Sequence, residues 1–227
     1  DDQDEDTRSG SKKKESHRPK VRYIEGKSMN SIWVNQSLGV DPATGYELFQ
    51  AVNGDIVTTW STDNYVIGGC TDSDLEGTFG TNLAWKGFQL NAIFRYNYGG
   101  QVYNQTLVDK VQDADLRKNV DRRVFEDRWQ KPGDKVMFTR LIGGATANAT
   151  SVTKPTSRFV EDNNWLELST LNVSYEFNMN WMKKVGLKRL KALFYMNDVF
   201  RVSTVKQERG IAYPFARNFS IGLQARF

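Results

Sequence analysis

Residues 219–227 read FSIGLQARF, and their reading decides the fold class. Phe219, Ile221, Leu223, Ala225 and Phe227 alternate without a break against Ser220, Gly222, Gln224 and Arg226. Successive side chains of a strand point to opposite faces, so this segment predicts a strand with one apolar and one polar face. Two architectures accommodate such a strand. In a soluble sandwich the apolar face turns into a core, whereas in an outer-membrane barrel it meets lipid and the polar face lines the lumen. The sequence stops on Phe227 with no polar tail, which leans toward the closing strand of a barrel.

The clearest hairpin lies further back. Phe79, Thr81, Leu83 and Trp85 alternate with smaller or polar residues, Lys86-Gly87 makes a two-residue connection, and Phe88, Leu90, Ala92, Phe94, Tyr96 and Tyr98 descend against Gln89, Asn91, Ile93, Arg95 and Asn97. Trp85 and Phe88 flank the turn and Tyr96 and Tyr98 sit near the far end. That spacing suits the two aromatic girdles of a barrel. A sandwich with the aromatics inward is equally self-consistent.

The same reading extends over the rest of the chain. A strand is expected over 29–40, a turn at Asp41-Pro42-Ala43-Thr44-Gly45, and a return strand over 46–50. A second turn follows at Asn53-Gly54-Asp55, then a strand over 56–60 and a polar linker over 61–76. Leu171, Val173, Tyr175 and Phe177 are out of phase with Leu166 and Leu168, so an extra residue near Ser169-Thr170, a bulge, is expected. A connector over 178–186, a strand over 187–196 and an outer loop over 197–214 complete the series. Between 101 and 157 the chain makes an excursion too long for an ordinary loop. Leu107, Val111, Ala114, Val120 and Val124 have rough helical spacing there. Asp113 and Asp115 do not open a calcium loop, since Lys118 stands where glycine is required and Val124 where glutamate is.

Composition narrows the function. The chain has 227 residues, 39% of them hydrophobic, with six Trp, nine Tyr and thirteen Phe. No run approaches the roughly 18 apolar residues of a spanning helix. Net charge is +4, but the charges are mixed and the one dense run, Lys12-Lys13-Lys14, lies beside acids in a polar segment over 1–20. Such a segment is expected to be disordered or an exposed loop, and no nucleic-acid partner is expected. The lone Cys70 excludes an internal disulfide, and the lone His17 leaves little room for Ser-His, Cys-His or zinc chemistry. No carboxylate pair stands out for glycoside hydrolysis either. The expectation is a protein that is not an enzyme and uses no cofactor.

Six further pieces occur in order: Ser37-Leu38-Gly39-Val40-Asp41-Pro42-Ala43-Thr44-Gly45, Gly99-Gly100-Gln101-Val102-Tyr103-Asn104, Asn119-Val120-Asp121-Arg122-Arg123-Val124, Arg128-Trp129-Gln130-Lys131-Pro132-Gly133-Asp134, Ser157-Arg158-Phe159-Val160-Glu161-Asp162 and Tyr213-Pro214-Phe215-Ala216-Arg217. With the terminal aromatic strand, they make residues 21–227 resemble the C-terminal part of SusC/RagA-type TonB-dependent outer-membrane transporters. The resemblance implies an all-β fold: an antiparallel transmembrane β-barrel segment, the last six or seven strands of a 22-stranded plugged barrel, with long extracellular loops including 101–157. It implies import of oligosaccharides, less often peptides, across the outer membrane. The implied partners are the N-terminal portion of the same transporter (plug and remaining strands), a SusD-like surface lipoprotein as lid, and TonB through that N-terminal portion. Phe219, Ile221, Leu223, Ala225 and Phe227 would be the membrane face of the closing strand. Candidate cargo contacts are Asn91, Arg95 and Asn97 on the lumen face, with Arg128 and Trp129 in the excursion. A secreted carbohydrate-binding β-sandwich is the alternative from another class.

Overall fold

A computed structural model describes residues 18–114, 116, 119–141, 153–178, 186–206 and 217–227. The expectations for the leader, for the 178–186 connector and for the loop before the last strand fall largely outside these residues. Eleven strands dominate among the described residues. Alternating Phe79–Trp85 and Phe88–Tyr98 form β5 (Leu75–Trp85) and β6 (Phe88–Tyr98), paired in unbroken register from Leu75↔Tyr98 to Trp85↔Phe88. At the turn Lys86 and Gly87 both take positive φ, 44° and 89°, the left-handed geometry that a two-residue hairpin requires.

β9 (Trp165–Phe177), β10 (Arg189–Ser203) and β11 (Phe219–Arg226) join them in one antiparallel sheet of order β11-β10-β9-β6-β5. A bulge sits where the phase slip placed it: Ile93 faces Thr170 and Phe94 faces Leu168, leaving Ser169 as the extra residue. Its hydroxyl donates to the Ile93 carbonyl, 3.1 Å away. β10 has a matching irregularity between Asn197 and Phe200, with Asp198 at φ 49°.

The register sorts side chains by chemistry. One face carries Phe79, Leu83, Leu90, Phe94, Leu171, Val173, Phe194, Ile221 and Leu223, and the other carries Asn82, Gln89, Asn91, Asn172, Ser174, Lys191 and Gln224. The apolar face has no cover among the described residues: Phe79 is 53% exposed, Trp85 70%, Leu223 74% and Phe227 75%. The sandwich expectation is thereby corrected, because the aromatics of 79–98 point away from any second layer. The sheet is open, with β5 and β11 at its edges.

Two smaller sheets stand at the end opposite the Lys86-Gly87 turn. β1 (Ser31–Val40), β2 (Glu47–Gln50), β3 (Ile56–Val57) and β4 (Tyr65–Cys70) pair in the order β3-β2-β1-β4, and β7 (Gln101–Tyr103) pairs with β8 (Val160–Asp162). Three expectations change. Residues 61–76 are not a loop, since β4 and the start of β5 lie there. The strand expected over 56–60 shortens to β3, and β10 runs on to Ser203 through the start of the expected outer loop. Among its described residues, the excursion between β7 and β8 holds α1 (Gln105–Leu107), continued by a wider π turn over Val108–Gln112, then α2 (Arg123–Glu126) and a 3-10 turn over Ser157–Phe159. Leu107, Val108, Val111, Val124, Phe138 and Phe159 bury together, with Ala114 and Val120 packed against them. The excursion thus has a core of its own.

Candidate functional site

The polar face is a set of cross-strand rows. Asn82, Asn91 and Asn172 stand side by side on β5, β6 and β9, and the Asn91 amide donates to Asn82 Oδ1. In the next row Gln89 Oε1 accepts from Lys191 Nζ at 2.9 Å and from Ser174 Oγ at 3.3 Å. Toward the excursion, Arg95, Glu167 and Arg201 face one another on β6, β9 and β10. Both guanidiniums lie over the Trp165 ring, Arg95 at 5.9 Å and Arg201 at 4.5 Å. A concavity of about 550 Å³ covers the asparagine and glutamine rows. Polar groups so ordered offer alternating donors and acceptors, suited to hydroxylated or amide-rich ligands.

The five expected contact residues divide into two groups. Asn91 and Arg95 present side chains on the polar face. Asn97 is on the same strand but 7% exposed, accepting from Ser73 Oγ and donating to the Asn163 carbonyl at 2.7 Å, so it ties the end of the sheet. Arg128 and Trp129 are elsewhere. The Arg128 side chain is buried and donates to the carbonyls of Val124 (2.8 Å), Val111 (2.6 Å), Gln112 (2.9 Å) and Thr139 (3.0 Å). Its expected role as a cargo contact is corrected to a structural one: its donors close the ends of the excursion's short helices. Burial lowers its pKa, opposed by the Asp113 charge.

Trp129 holds the excursion to the turn after β1. Its indole N–H donates to the Pro42 carbonyl at 2.9 Å, and its ring lies over Gly45. A Cβ on Gly45 would come within 2.5 Å of Trp129 Cδ2, and φ there is +74°. Gly45→Ala is expected to cost about 1–3 kcal/mol in backbone strain alone. Hydrogen exchange checks it: the Arg140 amide, bonded to the Gly45 carbonyl at 3.0 Å, should lose protection. Unchanged protection there would show that the indole seat is not coupled to the turn.

Trp165, Glu167, Lys191 and Arg201 were missed as site residues. A signal for the first two existed, since the phase slip at Ser169 puts Trp165 and Glu167 on the side of Asn172. Nothing in β10 alone identifies the partners of Lys191 or Arg201.

The fold and the segregated faces define one wall of an open antiparallel β-sheet with a structured excursion at one end. No family model matches the chain. It is 28% identical over 156 residues to TonB-dependent receptor P39 of Formosa agariphila, covering 67% of this chain and 14% of that protein. It is 25% identical over 214 residues to TonB-dependent receptor P3 of the same organism, covering 84% of this chain and 20% of that one. Its fold matches the RagAB peptide importer in the open-open state with a TM-score of 0.65 at 16% identity, over 87% of this chain and 22% of that one. A second structure, of the RagAB peptide transporter, gives 0.63 at 15% identity, over 86% and 22%. The chain therefore spans less than a quarter of each of these proteins. In sequence and in fold it is similar to a region of the SusC/RagA-type TonB-dependent transporters.

Proposed function

We propose that the chain is the C-terminal barrel part of a SusC-like TonB-dependent transporter in the outer membrane, importing oligosaccharides. The observation that carries this reading is the segregation of side chains across five strands. An uncovered apolar face would be a liability in water, whereas in a bilayer it is a requirement. The height fits as well: the 11 residues of β6, at about 3.3 Å each and tilted by about 40°, rise about 28 Å, close to the apolar band of such barrels. The two open edges call for further strands, which the N-terminal portion of the same transporter supplies. That portion also carries the plug and the contact with TonB, and a SusD-like lipoprotein covers the excursion. The amide row Asn82, Asn91 and Asn172 favours cargo rich in hydroxyls. A peptide cargo is the second reading, favoured by the likeness to the RagAB peptide importer.

Cysteine scanning of the full-length protein in cells tests the assignment of faces. In a Cys70→Ser background, Leu83→Cys and Phe94→Cys are expected to react with membrane-soluble maleimides and to resist charged ones. Asn91→Cys and Asn82→Cys, on the polar face, should react with charged reagents. Reaction of all four with the charged reagent alone would overturn the membrane reading.

A further inference from the structure

The row Arg95–Glu167–Arg201 holds two guanidiniums and one carboxylate. Glu167 Oε2 is 3.8 Å from Arg201 Nη1, within ion-pair range but too far for a hydrogen bond. Arg95 is exposed and has no carboxylate or carbonyl partner among the described residues. Trp165 fixes both arginines, since an indole face holds a guanidinium by its plane and leaves the edge N–H groups outward. Two forks with free donors and a surplus of one positive charge are thus held on the polar face, one row below the point where β6 and β9 leave the sheet for the excursion. A guanidinium fork matches the paired oxygens of a carboxylate or a sulfate ester.

From this we infer that Arg95 and Arg201 form an anion-binding subsite for acidic groups on an oligosaccharide cargo, with Trp165 as the positioning residue. The inference rests on the transporter reading and narrows its cargo to saccharides bearing carboxylates or sulfate esters. The subsite lies where cargo entering past the excursion first meets the wall. Its field attracts an acidic chain before contact is made, and salt weakens that attraction. Glu167 keeps the two cations from repelling each other while leaving one charge for the ligand.

The test measures binding to the full-length transporter in detergent by calorimetry. The probes are a uronate tetrasaccharide, a sulfated tetrasaccharide, their neutral parent and an acidic tetrapeptide. An acidic saccharide should bind at least tenfold more tightly than the neutral one in dilute salt, and the preference should shrink in concentrated salt. Arg95→Gln and Arg201→Gln should each remove about tenfold from the acidic probe and leave the neutral one unchanged. Which of the two acidic saccharides binds more tightly identifies the anion. Retained resistance of each variant to unfolding by cold detergent shows that the barrel is intact. Equal affinity for all probes, no binding of any, or a preference that survives the double variant would overturn the subsite. Arginine-dependent binding of the peptide alone would keep the anion site and overturn the saccharide cargo. The cysteine labelling described above judges the membrane reading independently.

Discussion

Leu223→Arg is expected to destabilise the full-length protein in a phospholipid bilayer by about 2–4 kcal/mol, the cost of an arginine near the midplane of a barrel's lipid face. Leu223 lies in the middle of β11, opposite Ala192, and its side chain meets little else in this chain, being 74% exposed. Loss of packing within the chain therefore contributes little, and the penalty comes from the surroundings of the face. The control is Ser220→Arg, on the polar face opposite Tyr195. A cation there enters an aqueous passage, and its effect should stay within about 0.5 kcal/mol, as for an ordinary surface substitution. Equilibrium unfolding of both variants in vesicles measures the difference. If the two substitutions cost the same, the face bearing Leu223 is wetted and the sheet does not stand in lipid as proposed. If Ser220→Arg is the costly one, the two faces are reversed.

Much of the sheet was legible because its physics is local. Alternation in 79–98 and 219–227 reports which face each side chain takes, and the broken phase at Ser169 reports a bulge, without knowledge of any partner strand. The strand over Tyr65–Cys70 was not legible, and its glycines show why. A Cβ on Gly68 would come within 2.3 Å of Val34 Cγ2, and one on Gly69 within 2.6 Å of Gln101 Oε1. Close approach by neighbouring elements demands residues that weaken the strand signal. The continuation of β10 was hidden similarly, because Asn197-Asp198 has turn chemistry and the register absorbs it as an irregularity. At the site, Asn91 and Arg95 were readable from their phase on one strand. The Arg95–Glu167–Arg201 row was not, because it joins three strands far apart in sequence. Arg128 misled for another reason. A charged residue in a polar stretch reads as solvated, and only the folded backbone reveals four carbonyls converging on its guanidinium.

Beside the Trp129 seat, a buried ion pair ties the excursion to the small sheet, and its removal has the second large expected effect. Arg158, just before β8, meets Glu47 at the start of β2 through two bonds: Nε to Oε1 at 3.1 Å and Nη2 to Oε2 at 2.7 Å. The two side chains are only 7% and 8% exposed. The remaining donors of Arg158 reach Gln112 Oε1 at 3.2 Å and the Met137 carbonyl, so the same guanidinium also gathers the excursion's interior. Tyr103 lies close by, its hydroxyl pushed well above the usual tyrosine range, first by burial and then by the Glu47 charge. Glu47→Ala leaves a buried guanidinium without its counter-charge, a change that costs about 3–5 kcal/mol in comparable pairs. The cost should fall on the excursion and the small sheet, because β5, β6, β9, β10 and β11 make no use of this pair. Hydrogen exchange on the full-length protein should show lost protection at the Asn104 amide, which donates to the Phe159 carbonyl, with strands β6 and β9 unaffected. The double variant Glu47→Leu Arg158→Met should recover most of the loss, because replacing both charges with apolar groups removes the desolvation cost along with the attraction. Were Glu47→Ala to leave exchange unchanged, water would have to reach Arg158 in solution, and the excursion would be held by its apolar core and its bonds to the turn after β1. Were the double variant as damaged as the single one, losing the bonds of Arg158 to Gln112 and Met137 would cost as much as relief of its unpaired charge restores, and the guanidinium would be needed for more than its pairing with Glu47.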